Sequence, residues 1–370
     1  MTGIDWHNYV QKLTQPIESA ESLPYEAYTD PQVLISETKN VFHKDWVFVC
    51  STSQLPKPGH YFALDLAGEP VVIIHGQDGR IRALSNSCRH RGTPLLDAGF
   101  GQLKRNIVCP YHAWTYSDSG SLKGAPYCGA IKVDRPAHSL RSFPLESWNG
   151  LLFVNLRSNP PPLSSRVAGI DEHLRHFQLE RFTKGYKGTP ECWQANWKLV
   201  IENAIESYHL FKVHQKSLET VAPTKHAFYV AGSAEWSLTA GLLSDRRSKL
   251  SRWLSGETHK TQHQYLLIFL PPSFVGILTP ASLDWLSVLP HGTDSCRVYS
   301  GGTAASATAL SETFTSDHSA TFLAEDKAIC ERLQQGMSAT HAKGGKLVEL
   351  ERPLIDFRQF LLSRQFNHPP

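Results

Sequence analysis

The sequence predicts an α+β protein of two domains, a small one of short antiparallel strands and a larger one pairing an antiparallel sheet with long helices. Three observations carry this. At 370 residues the chain is longer than one hydrophobic core usually supports. Between Val41 and Arg157, short β-rich runs (DWVFVC, HYFALDL, PVVIIHG, GRIRAL, GLLFVNL) alternate with turn signals at Pro58-Gly59, Gly76-Gln77-Asp78-Gly79 and Ser119-Gly120. Beyond Pro162, segments of helical period bracket strand-rich sequence that runs through Tyr299.

Taken in order, residues 1–40 read as one or two helices interrupted at Pro24 and Pro31. The strand-rich stretch follows, closed by Asn159-Pro160-Pro161-Pro162, a stiff extended tract that marks a boundary. The expected division is therefore 1–40, a helical segment packing on the larger domain, then 41–157 and 158–370. In the larger domain Ile170–Leu179, Trp197–His214, Thr313–Met337 and Leu354–Leu362 have helical spacing. No repeat or low-complexity tract is visible.

Composition narrows the function. Hydrophobic residues make up 41% of the chain, with nine Trp, which is enough for a substantial core and excludes disorder. A net charge of +3, mixed evenly along the chain, argues against nucleic acid as a partner. No apolar run approaches the ~20 residues of a membrane span. MTGIDWHNYVQKL lacks the long apolar core of a signal peptide. Two of the seven cysteines belong to the motif described next. Cys50, Cys128, Cys192, Cys296 and Cys330 are scattered singly, the pattern of buried thiols in a reducing cytoplasm rather than of disulfides.

Cys88-Arg89-His90-Arg91-Gly92 and Cys109-Pro110-Tyr111-His112 are the most specific feature. Each supplies one thiolate and one imidazole, with eighteen residues between His90 and Cys109. Two sulfur and two nitrogen donors can hold a [2Fe–2S] cluster in its Rieske form, with both cysteines on one iron and both histidines on the other. The neutral imidazoles raise its reduction potential. The same atoms could form a Cys2His2 zinc site. Zinc fingers, however, group Cys with Cys and His with His, and here each pair is mixed. Gly92, Pro94 and Pro110 suit two tight loops gripping a cluster from opposite sides.

A second site begins in the segment from Asn196 to His214. Apolar residues at 197, 200, 201, 204, 205 and 208 keep a helical period, so the element is expected to be buried. Glu202, Asn203, Glu206, His209 and His214 are then polar groups on or near a core helix, costly to bury unpaired, and a bound metal would offset that cost. Glu206 and His209, three residues apart, share one helix face. His209 and His214 are five residues apart, about 140° around an ideal helix. Both imidazoles meet one metal only where the helix ends, bends or bulges; otherwise they are two unrelated core histidines. Two histidines and one carboxylate around open positions form the facial triad of non-haem Fe(II) oxygenases. A distant carboxylate is available in Glu325-Asp326-Lys327, ahead of the helical pattern of Ile329, Cys330 and Leu333.

Together these segments resemble one family. CRHRG…CPYHAWTY resembles the Rieske signature of ring-hydroxylating and related non-haem iron oxygenases, α (terminal oxygenase) subunit. NWKLVIENAIESYHLFKVH resembles the iron-binding helix of the same subunits, and the likeness extends from about Leu23 to Phe360. It implies two cofactors, a [2Fe–2S] cluster on Cys88, His90, Cys109 and His112, and a mononuclear Fe(II) on His209, His214 and Asp326. Glu325 is the alternative carboxylate, since register over two adjacent acids is fragile. Glu206 and Asn203, polar neighbours of the histidines, are the candidate catalytic residues. By the same resemblance Glu206 would join His209 of its own chain to His112 of the next, in a head-to-tail ring that is most simply a homotrimer. The plainer role for Glu206 is to orient His209 within one chain. The implied architecture of the second domain is a START-like helix grip.

The function implied is a terminal oxygenase that uses O2 to mono- or dioxygenate, or oxidatively demethylate, a small organic substrate. Electrons would come from a separate ferredoxin or flavin reductase, because the chain has no GxGxxG fingerprint or flavin-binding stretch; a β subunit is a further possible partner. The competing reading is an electron-transfer protein whose ligand-binding domain lacks oxygenase activity. Substrate stays open between aromatic and N-alkyl or quaternary ammonium compounds. Glu206 stands where Asp is commoner, as in choline- and carnitine-type monooxygenases, while SYHLFKVH reads closer to aromatic-compound oxygenases. Tyr208, Phe211, Phe228, Tyr229, Trp236, Phe269, Phe274 and Trp285 are candidates for an aromatic pocket or cation cage, and each is equally a core candidate.

Overall fold

The computed structural model describes residues 3–244, 264–306 and 317–366. The chain forms two compact units, Phe42–Leu163, and Met1–Val41 with Ser164–Pro370.

The first unit contains β1 (Val47–Ser51), β2 (His60–Leu66), β3 (Glu69–His75), β4 (Ile81–Ser85), β5 (Gly99–Gln102), β6 (Ile107–Val108), β7 (Thr115–Tyr116), β8 (Leu122–Gly124), β9 (Ser142–Phe143), β10 (Leu145–Trp148) and β11 (Leu151–Val154). They pair antiparallel as β5–β2–β3–β4–β9, β1–β11–β10 and β6–β7–β8. β2 turns into β3 through Ala67-Gly68, both at positive φ (52° and 91°), the two-residue hairpin whose twist matches the strands. Ala63, Val72, Ile74, Leu84, Ile107, Trp114, Tyr116 and Leu122 pack a core around Cys88 and Cys109.

The second unit is built on one antiparallel sheet. Its strands are β12 (Lys184–Lys187), β13 (Glu191–Trp193), β14 (Ala227–Gly232), β15 (Ser237–Leu242), β16 (Gln264–Leu270), β17 (Phe274–Leu278), β18 (Ser282–Gly292) and β19 (Ser295–Ala304). β14 to β19 run as a meander, each strand beside the next, and β12 and β13 both pair with β19. Helices Trp197–Ala204 and Pro353–Gln365 join it through aromatic edges: Phe357 meets Trp197 at 5.6 Å and Phe269 of β16 at 5.4 Å between ring centroids. This antiparallel sheet with gripping helices is the fold class expected from the sequence.

Details differ where local chemistry decides. The N-terminal segment holds three helices, Trp6–Leu13, Glu26–Thr29 and Pro31–Glu37. Pro31 starts a helix rather than breaking one: it sits in the first turn, where its missing N–H costs nothing, and Asp30 caps it by accepting from the Gln32 N–H at 2.8 Å. Over Ile170–Leu179 helix exists only at Asp171–Leu174, followed by 3-10 turns either side of Gln178, which is left-handed at φ 53°. The long helix spans Asp317–Gly336, and the 313–316 part of the expected helix lies outside the described residues. None of the seven cysteines is in a disulfide; Cys50, Cys296 and Cys330 are buried as expected, but Cys128 and Cys192 are only half-buried. No helix among the described residues is long and apolar enough to cross a membrane.

One buried pair anchors the helix that leads to the second site. Lys198 Nζ and Glu37 Oε1 are 2.7 Å apart with neither side chain exposed, and Trp197 Nε1 donates to Glu37 Oε2 at 2.8 Å. Removing one partner leaves the other charge stranded. Lys198→Met is expected to destabilise the fold by about 3–5 kcal/mol, and the double variant Glu37→Leu/Lys198→Met to recover most of that. Urea unfolding followed by Trp fluorescence checks it; a double variant no more stable than Lys198→Met would contradict the pairing.

Candidate metal centres

The first centre is made by two loops. Cys88 and His90 follow β4, and Cys109 and His112 lie between β6 and β7. Each loop is closed by its own backbone: Gly92 N–H donates to Cys88 O at 2.9 Å and Ala113 N–H to Cys109 O at 3.1 Å. Gly92 (φ 79°) and Ala113 (φ 54°) are both left-handed, which makes each loop a tight turn. The donors sort into two pairs. The thiols of Cys88 and Cys109 are buried in one apolar cluster. The rings of His90 and His112 are exposed, 4.7 Å apart, and Trp114 stacks on His90 at 5.0 Å. Burial would raise the Cys109 thiol pKa, but the backbone N–H groups of Tyr111 and His112, with Cys88 and Thr93, outweigh it and lower it. Tyr116 Oη lies 3.3 Å from Cys88 Sγ and accepts from the Arg89 N–H at 3.0 Å.

This donor arrangement fits a cluster better than a single ion. A buried sulfur pair set apart from an exposed nitrogen pair matches the two irons of a Rieske cluster.

The group that does converge is His209, His214 and Asp326. The expected helix Trp197–His214 is broken. It stops at Ala204, and a separate turn, Leu210–Val213, lies between the two histidines. The break comes from Glu206, whose Oε2 accepts from the backbone N–H groups of Tyr208 and, at 3.3 Å, His209, so its carboxylate replaces helical acceptors and caps the new turn. Tyr208, which the apolar period would bury, is consequently 44% exposed.

Two helices fix the geometry. Asn203 Nδ2 donates to Asp326 Oδ1 at 2.8 Å, and at the other end of the same contact Asn196 N–H donates to Gln334 Oε1 at 2.8 Å. Asp326 Oδ1 faces His214 Nε2 at 3.0 Å and His209 Nε2 at 3.5 Å. Each ring is held at its other nitrogen. His209 Nδ1 lies 2.6 Å from Glu206 Oε1, and His214 Nδ1 lies 2.7 Å from Glu325 Oε2. Glu325 and Asp326 thus take opposite edges of one imidazole. Glu202 is elsewhere, accepting from Tyr28 Oη at 2.8 Å. His214 is fully buried, and Asp326 and Glu206 are buried. Burial alone would push His209 down, yet hydrogen bonds from Asp326 and Glu206 raise its pKa to about 10. Burial would raise Asp326, but His209 and His214 hold it at about 2. A carboxylate held this firmly ionised between two imidazoles makes a site that favours a cation, and two Nε2 atoms with one carboxylate oxygen are a facial set for a divalent metal.

The aromatic candidates divide. Phe269, Phe274 and Trp285 are buried, Phe269 against the C-terminal helix. Tyr229 donates to Asp356 Oδ2 at 3.0 Å and Trp236 to Ala168 O at 2.9 Å. Tyr208 and Phe211 are exposed and contact each other at 5.7 Å, and Phe228 is also exposed. Sequence reasoning missed Glu325 and Ser217 as partners of His214; the Ser217 hydroxyl donates to Glu325 Oε2 at 2.6 Å.

Known proteins resemble the chain in both units. Residues 45–144 match the Rieske [2Fe-2S] domain, and residues 174–364 match the ring hydroxylating alpha subunit (catalytic domain). The glycine betaine monooxygenase oxygenase subunit of Chromohalobacter salexigens is 35% identical over 200 residues, 54% of this chain and 44% of that protein. The carnitine monooxygenase oxygenase subunit of Acinetobacter baumannii is 33% identical over 228 residues, 60% of each. Toluate 1,2-dioxygenase subunit alpha of Pseudomonas putida is 30% identical over 204 residues, 51% of this chain and 43% of that protein. The chain thus spans about half the length of the curated relatives it matches. A solved quaternary ammonium Rieske monooxygenase superimposes with a TM-score of 0.81 at 22% identity, over 98% of this chain and 99% of that one. Naphthalene 1,2-dioxygenase from Rhodococcus sp. does so with 0.80 at 20%, over 98% and 99%. At these identities the likeness is one of fold.

Proposed function

The chain belongs to the ring hydroxylating alpha subunit family, with a Rieske [2Fe–2S] domain ahead of its catalytic domain, and on that premise we propose that it is a terminal oxygenase component. It takes electrons from a separate ferredoxin or flavin reductase and uses O2 to hydroxylate or oxidatively demethylate a small organic substrate. The observation that carries this is the convergence of His209, His214 and Asp326 within 4.8 Å. A pure electron carrier has no use for such a group.

In this reading Cys88, Cys109, His90 and His112 hold the cluster, and His209, His214 and Asp326 hold the iron. When bound, the cluster supplies single electrons and the iron supplies open coordination positions for oxygen chemistry. The chain's own residues do the rest. Glu206 Oε1 accepts the hydrogen bond from His209 Nδ1–H, which leaves the Nε2 lone pair free. Asn203 holds Asp326 Oδ1 so that one oxygen faces both rings. His90 and His112, exposed on their loops, present the cluster edge to partners. The unit Phe42–Leu163 carries thirteen Lys and Arg against eight Asp and Glu, a formal +5 where the whole chain is +3, which suits an acidic electron donor.

We read the substrate as an N-methyl or quaternary ammonium compound, because the betaine and carnitine relatives are more similar than the toluate one and because Glu stands at position 206. Substrate-dependent O2 uptake with a surrogate reductase, scored on glycine betaine, carnitine, trimethylamine, benzoate and toluate, tests it. Uptake on the aromatic acids alone would replace this substrate class, and uptake on none with both metals loaded would favour the electron carrier.

Glu206 has a second role here, in the link between chains. Oε2 already accepts from two N–H groups of its own chain, but Oε1, which accepts only from His209 Nδ1, keeps a lone pair to which His112 of a neighbouring copy could donate. Glu206→Gln is expected to keep both metals and a trimeric assembly while slowing oxidation of the reduced cluster by O2 and substrate ~10–100-fold. Stopped-flow reoxidation measures this. Reoxidation at the wild-type rate, or a wild type fully active as a monomer, rules the bridge out.

A further inference from the structure

His214 is the most buried of the three converging residues, at 0% exposed, and both its ring nitrogens face carboxylates from one helix. Glu325 and Asp326 are adjacent, so their side chains leave the helix about 100° apart and straddle the ring, Glu325 at Nδ1 and Asp326 at Nε2. Glu325 Oε2 also accepts from Ser217 Oγ at 2.6 Å, and the Ser217 N–H donates to His214 O at 3.1 Å. One carboxylate oxygen therefore ties together the ring, the turn that follows it and the long helix. His209 has a carboxylate of its own in Glu206, but that one is local, three residues away. The Glu325 tie crosses 111 residues of sequence, so it is also what fastens the loop of His214 to the helix of Asp326.

From this geometry we infer that Glu325 is a positioning residue which, with Ser217, forms a hub that fixes the His214 ring and so governs how tightly the mononuclear site keeps its metal. The inference rests on His209, His214 and Asp326 being that site. A neutral imidazole has one N–H and one lone pair. With its Nδ1–H donating to Glu325, His214 must direct the Nε2 lone pair at the metal, and the ring cannot turn over. Without Glu325 both tautomers and both ring orientations become accessible, and the metal loses a ligand for part of the time. Glu325 itself stays off the metal because its Oε2 is held by Nδ1 and Ser217, on the edge of the ring opposite the Nε2 that faces Asp326.

The test uses the full chain with its cluster assembled and Co(II) or Fe(II) loaded anaerobically into the second site. Metal release to a chelator and the Co(II) ligand-field absorption are read for wild type, Ser217→Ala, Glu325→Gln, Glu325→Ala and Ser217→Ala/Glu325→Ala, with the cluster spectrum as the check on folding. Glu325→Ala is expected to weaken metal retention ~10–100-fold and to change the Co(II) bands. Glu325→Gln, whose carbonyl oxygen still accepts from Nδ1, should restore the wild-type band shape with part of the retention. Ser217→Ala should weaken retention less, and the double variant should be no worse than Glu325→Ala, because both act through one oxygen. Wild-type retention and bands in Glu325→Ala would overturn the hub. So would complete loss of metal at saturating Co(II), as for a ligand, or independent losses that multiply in the double variant. A wild type that assembles its cluster yet takes up no second metal would overturn the site assignment, and the hub with it.

Discussion

Cys88→Ala should yield a colourless protein with no cluster absorption and no turnover. Cys88 and Cys109 are the buried sulfur pair, in the apolar core that also contains Trp114, Tyr116 and Leu122. Losing one thiolate leaves an iron with an open position in that core. The vacated space and the unsatisfied Cys109 also loosen the two loops, because ligand binding and folding of such a site are coupled. Ultraviolet–visible absorption of the aerobically purified variant, with acid-labile sulfide, reads the effect directly. A brown variant with intact bands would show that Cys88 is not a ligand.

Asp326→Ala should have the other large effect, confined to the second centre. Removing this carboxylate takes away one of three donors and the acceptor that both Nε2 atoms and Asn203 share. Metal binding should fall by more than the ~10–100-fold typical of outer-shell losses, leaving about one iron fewer per chain while the cluster spectrum is unchanged. His209→Ala should behave likewise. Oxygen uptake should drop to background in both variants. If Asp326→Ala keeps its iron and Glu325→Ala loses it, the two carboxylates have exchanged roles.

What could be read from the sequence follows from how far apart the interacting residues lie. The Rieske domain was legible because each proposed ligand pair is only two or three residues apart and flanked by Gly92, Pro94 and Pro110, which leave few other conformations. The antiparallel strands were legible because their apolar runs are short and separated by turn residues. The break after Ala204 was legible only as a requirement of the metal. The apolar period continues to Tyr208, and only the carboxylate of Glu206 turning onto the Tyr208 and His209 N–H groups ends the helix. The contacts of Glu325 were not legible at all, since adjacent acids differ only in which side of a helix faces the partner. Lys198 was equally opaque: within WKLVIENA it reads as an interruption of the apolar face, and its partner Glu37 lies 161 residues away.

Iron stoichiometry decides whether one chain carries two different iron centres. After anaerobic reconstitution with iron and sulfide, gel filtration and metal analysis should find about three irons and about two acid-labile sulfides per chain, two irons in the cluster and one at His209, His214 and Asp326. Two irons with two sulfides would make the protein an electron carrier, and one zinc without sulfide would contradict the account altogether.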